Sequence, residues 1–141
     1  MKVTEYSEIG TRFEFKAELF QAASKAGLLN INMEESGSLD LNILLAPNPE
    51  KFFLVRVNGE SMIDEGIFDG DILVVERSEV PIDGEIIISA LNGELTVKTF
   101  RLIDGTGYLY SANKKFLPIE IMTFYDFSVQ GIVRHIIHYF I

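Results

Sequence analysis

Asn92-Gly93 lies between two apolar runs, residues 85–91 and 94–102. Both residue types tolerate positive φ, so the dipeptide predicts a tight two-residue β-hairpin and an antiparallel pair. The same texture extends through the rest of the chain after residue 51. Residues 52–57 read as a strand. Residues 72–76 follow the Asp69-Gly70 turn, and residues 85–91 follow Asp83-Gly84. Residues 108–111 and 128–140 complete the set. Strands this short and this closely punctuated predict a mainly β domain. Its expected form is a compact, curved antiparallel sheet, not an open α/β layer.

The first 50 residues differ. Residues 16–25 carry a short, weak helical pattern through Ala17, Leu19, Phe20, Ala22 and Ala23. Residues 28–38, with Asn30, Asn32, two adjacent glutamates and Gly37, read as a loosely held arm. Residues 40–45 suit a helical turn, which Pro47-Asn48-Pro49 ends. The expected organisation is an N-terminal arm over residues 1–50 and a β domain over residues 51–141.

At 141 residues the chain is long enough for a single core. It contains no cysteine, which removes disulfides and thiolate or zinc sites and suits a reducing, cytoplasmic setting. No signal-peptide pattern follows Met1, and no apolar run is long enough to cross a bilayer. The net charge of −9, from 21 acids against 12 bases, disfavours direct nucleic-acid binding, which needs a basic surface. Two histidines, His135 and His138, make a poor metal set. Gly66 and Gly70 are turn glycines, because the Lys-Ser/Thr of a phosphate loop is missing after them. No cofactor is expected.

Two segments carry chemistry. Residues 57–71 place Ser61 after Gly59 on a tight turn, and residues 94–98 place Lys98 in a predicted strand. A serine becomes a nucleophile when a base takes its proton, and a lysine is that base only when neutral. Burial lowers a lysine's pKa and so favours the neutral form. Each residue also has a plain structural explanation. Ser61-x-x-Asp64 loosely fits a helix-start capping box, and Lys98 lies on a strand whose two faces are both mixed, so periodicity does not bury it.

The two segments together resemble the LexA/UmuD family of self-cleaving serine peptidases. The pattern is Val57, Gly59, Ser61, Met62, Gly66, Ile67, Gly70 and Asp71, then Gly93, Glu94, Thr96, Val97 and Lys98. The resemblance spans roughly residues 25–140 and is nearest to the short, UmuD-type members. It implies a barrel-like β clip. It also implies Ser61 as nucleophile, Lys98 as base, and the N–H groups of Glu60 and Ser61 as an oxyanion hole. The implied scissile bond is Ala26-Gly27 in the chain's own arm. There the sequence departs from the family, continuing Leu28-Leu29-Asn30 where Phe-Pro-Ser-Pro is common. The implied partners are a second copy of the chain, a RecA filament that stimulates cleavage after DNA damage, and a Y-family translesion polymerase. Two alternatives stay open: a non-catalytic polymerase-regulating module, and a phage-type repressor fragment without its DNA-binding domain.

Overall fold

The computed structural model describes residues 1–9, 16–18 and 38–140, with residues 16–18 and 38 described through their backbone alone. Ten strands, one short α-helix and two short 3₁₀ helices, Pro49–Lys51 and Ile63–Glu65, are found among them. The strands and the α-helix are β1 (Lys2–Glu8), β2 (Lys16–Glu18), β3 (Ser38–Asp40), α1 (Leu41–Leu45), β4 (Phe52–Asn58), β5 (Ile72–Arg77), β6 (Ile86–Leu91), β7 (Glu94–Ile103), β8 (Thr106–Tyr110), β9 (Ile119–Glu120) and β10 (Phe127–Ile137). The main sheet runs β1-β4-β5-β10-β6-β7-β8-β9, and every pairing in it is antiparallel. A further pairing of β1 with β7, Lys2 opposite Thr96, closes six of these strands into a barrel. The expected curved, mainly β fold is the one observed.

The hairpin at Asn92-Gly93 forms as expected, with φ of 49° and 84° at its two central residues. Asp104-Gly105 makes the same turn between β7 and β8, with φ of 50° and 79°. Strand alternation then divides the core. Leu73 and Val75 of β5 face an interior cluster with Val55, Val57, Met62 and Val97. Val74, between them, packs outward against Phe52 and Ala46. Ile87 of β6 belongs to a further cluster with Phe100, Leu109, Val129 and Ile132. Both faces of the central strands are therefore covered, which explains their near-continuous apolar runs.

β10 is central, flanked by β5 and β6, and its register shifts between Val129 and Gly131 and again between Val133 and His135. Gly131 fits where no other residue would: a Cβ there would lie 2.5 Å from Val75 Cγ1 and 2.6 Å from the Glu76 carbonyl oxygen. The strand also stops at Ile137, not 140.

The N-terminal region departs from expectation in two places. Residues 2–8, assigned to the arm, form a strand of the main sheet alongside β4. Lys16–Glu18, placed in a helical pattern, is a strand paired with β3. Local periodicity cannot show either feature, because both depend on partners far along the chain. The helical turn before Pro47 is present as α1, capped by Asp40, whose side chain accepts from the Asn42 N–H at 2.9 Å. Ala26, Gly27 and the rest of segment 28–37 lie outside the described residues. No helix among the described residues is long and apolar enough to cross a membrane.

Candidate functional site

β4 ends at Asn58, and the chain then reverses through Gly59 at a φ of 104°, a conformation that L side chains rarely adopt. The Gly59 N–H donates to Asp69 Oδ1 at 2.8 Å, which ties this turn to the loop before β5. That loop is itself held by Asp71. Its buried carboxylate accepts the Phe68 N–H at 2.8 Å and meets His138 Nδ1 at 2.5 Å. The turn delivers Ser61 into the interior, where it is 2% exposed.

Ser61 is not a helix cap. The short 3₁₀ helix that follows, Ile63–Glu65, takes Met62 as its N-cap without a side-chain bond. The capping-box reading of Ser61 is thereby corrected. Met62 is fully buried in the core below the serine. Neither the Glu60 nor the Ser61 backbone N–H donates to a described residue.

The segment after β8 braces the serine turn from the other side. Asp64 N–H donates to the Ala112 carbonyl at 2.8 Å, and Asn113 Nδ2 donates to the Glu60 carbonyl at 2.9 Å. The Ala112 N–H reaches Met62 Sδ at 3.3 Å. Residues 111–113 thus fix the serine turn against the strand pair β7–β8.

Lys98 stands opposite Ile87 in the β6–β7 ladder. It is buried, 9% exposed, although strand alternation alone leaves it undecided. Nζ donates to Ser111 Oγ at 2.6 Å and lies 5.8 Å from the Phe116 ring centre. Burial holds the Lys98 pKa below the ordinary lysine value, and the Glu94 carboxylate partly opposes that shift. The lysine's environment is therefore one that favours the neutral amine a general base requires.

Ser61 and Lys98 converge on one further group, the α-amine of Met1. The amine donates to Ser61 Oγ. Its pKa is lowered to about 6, first by burial and then by the Lys98 charge. No described hydrogen bond joins Ser61 directly to Lys98. Ser111 and the Met1 amine were not legible in the sequence, since a hydroxyl at a strand end and a chain terminus carry no motif. Neither histidine meets Ser61 among the described contacts. His138 is engaged by Asp71 and flanked by the Phe68 and Phe140 rings. No group of three metal-ligating side chains occurs among the described residues.

Comparison with known proteins places this site in context. The sequence profile of the Peptidase S24-like family matches residues 18–134. Among similar curated proteins is a LexA repressor of Colwellia psychrerythraea, 34% identical over 117 residues, covering 82% of this chain and 54% of that protein. A LexA repressor of Stenotrophomonas maltophilia is 37% identical over 90 residues, covering 64% of this chain and 42% of that protein. LexA repressor 2 of Pseudomonas putida is 38% identical over 80 residues, covering 57% and 40% respectively. The chain thus spans about half, or less, of the length of these relatives. With a profile match over most of its length, the chain belongs to the Peptidase S24-like family of LexA/UmuD-type self-cleaving peptidases.

Proposed function

We propose that the chain cleaves itself, with Ser61 as nucleophile and Lys98 as general base. One observation carries the proposal: a lysine buried in the same site as a buried serine, with its pKa lowered by that burial. Neutral Lys98 Nζ takes the Ser61 proton as Oγ attacks a backbone carbonyl. The N–H groups of Glu60 and Ser61 receive the developing oxyanion. The lysine ammonium then protonates the leaving amine, and water releases the acyl group from Ser61. The bond cut is Ala26-Gly27, whose small side chains let a backbone carbonyl approach a recessed hydroxyl.

In this proposal the cleavage is a response to DNA damage. A RecA filament favours the docked arm by shifting a population, supplying no catalytic group. The trimmed chain, as a homodimer, serves as accessory subunit of an error-prone Y-family polymerase in the cytoplasm. A second reading is supported by the relatives, each of which carries the name LexA repressor: the chain corresponds to the peptidase part of a repressor. A purely non-catalytic module is disfavoured by the burial of Lys98, which a structural role does not need.

The test is substitution of the pair. Ser61→Ala and Lys98→Ala should each reduce self-cleavage by at least about a thousandfold while leaving a folded chain. The double variant should match either single one, because members of one catalytic unit are not additive. Near-native cleavage by Lys98→Ala would remove it as the base.

A further inference from the structure

Asp71 takes no part in the proposed chemistry, yet it is almost wholly buried, 2% exposed. A buried carboxylate oxygen without a donor is costly, so each oxygen needs a partner. Oδ2 accepts the Phe68 N–H at 2.8 Å. Among the described residues, Oδ1 meets only His138 Nδ1, at 2.5 Å. An ionised carboxylate can only accept, so the imidazole donates from Nδ1 whether it is neutral or charged. The ring is held in place against Phe68 and Phe140, whose ring centres lie 5.5 and 4.9 Å away.

The loop that Asp71 closes is the one that holds the serine turn. The Gly70 N–H donates to the Val57 carbonyl at 2.8 Å, and the Val57 N–H donates to the Asp71 carbonyl at 3.0 Å. Asp69 Oδ1 accepts the Gly59 N–H at 2.8 Å. Ser61 follows two residues after Gly59. His138 is thus joined to the turn of the nucleophile through one carboxylate and one short loop. Without the imidazole, Oδ1 has to turn toward water to find a donor, and the bend at residues 68–71 opens with it.

We infer that His138 is a positioning residue for Ser61: its hydrogen bond to Asp71 locks the loop of residues 68–71, and that loop fixes the turn from which Ser61 projects. The inference rests on Ser61 being the nucleophile, as proposed above, and the first of two measurements is independent of that reading.

Two variants separate the hydrogen bond from the bulk of the ring. His138→Asn keeps a donor at the place of Nδ1, and His138→Leu fills similar space without one. The first measurement is amide hydrogen exchange in the full chain, read by NMR. In the leucine variant Val57, Gly59 and Gly70 should exchange about tenfold faster, the effect of losing one hydrogen bond to a charged group, while amides of the β6–β7 ladder keep their native rates. The asparagine variant should exchange like the native chain. Native exchange at Gly59 in a folded leucine variant overturns the inference, and so does faster exchange throughout the sheet, which marks a merely structural role. Should the leucine variant not fold, His138→Ala with and without added imidazole makes the same comparison, and exchange at Gly59 that imidazole does not slow overturns the inference. The second measurement is the rate of self-cleavage at pH about 9–10. The leucine variant should cleave at least about tenfold more slowly, and the asparagine variant should recover most of the rate. Equal cleavage by the native and leucine chains overturns the positioning role. If the native chain does not cleave, the function proposed above falls, and the exchange at Gly59 alone supports or overturns the lock on the turn.

Discussion

At the scale of the residue, the site turns on how burial treats an amine. Lys98 loses solvation in the barrel wall, and the loss falls on its charged form. The sign follows directly. Below its lowered pKa the lysine is protonated and cannot accept the Ser61 proton, and above it the base is free. Self-cleavage should therefore rise about tenfold per pH unit on the acid limb and level off below pH about 10.4, the value of a solvated lysine. A rate profile from pH 6 to 11 by gel densitometry checks this. A rate that falls over that range, or climbs without levelling at pH 11, would contradict a buried lysine base. Ser61 and Lys98 could be singled out because a motif joined them. The burial of Lys98 was not, since Thr96, Phe100 and Leu102 on one face and Leu95, Val97 and Thr99 on the other gave no apolar side. It follows from closure of the sheet, which covers both faces of β7. Ser111, whose Oγ accepts from Lys98 Nζ, lies just past the end of β8 and becomes a neighbour only in three dimensions.

At the scale of the element, strands and turns after residue 51 were largely readable, because Asn-Gly and Asp-Gly turns bound short apolar runs. β1 was not. Its polar alternation, Lys2, Thr4, Glu5, Ser7, Glu8, gives no buried stripe, and it is a strand because β4 and β7 offer it partners. β10 was found as a strand, but its place in the sheet is set by partners distant in sequence. It is a central strand, and Ile132 is core. The bulge at Gly131 is what lets it curve between β5 and β6. Gly131→Ala places a methyl against Val75 and against the Glu76 backbone carbonyl, which cannot rotate away. The variant should lose about 1–3 kcal/mol and melt roughly 3–10 °C lower. Circular dichroism on heating reads this, and an unchanged melting temperature would show that the bulge has more room than its contacts indicate.

At the scale of the whole molecule, the apolar excess at the C-terminus sorts into two parts. Val129 and Ile132 fill the core, while Tyr139 and Phe140 are 84% and 87% exposed, with Ile136 and Ile137 partly exposed beside them. At this end β10 pairs with β5 alone, through residues 133–137, while β6 pairs with residues 127–132. A two-fold contact is the commonest way to cover such a patch. The chain should sediment as a homodimer at micromolar concentration, and Tyr139→Ser with Phe140→Ser should shift it toward monomer. Full dimerisation of that variant would place the interface elsewhere.

The most direct test of self-cleavage is the mass of what the purified chain becomes. Incubated alone at pH about 9–10, where more of a lysine with a lowered pKa is neutral than at pH 7, it should yield two species, residues 1–26 and residues 27–141, and the Ser61→Ala chain should stay intact. A chain that remains whole, or a large product that begins anywhere other than Gly27, would contradict the account.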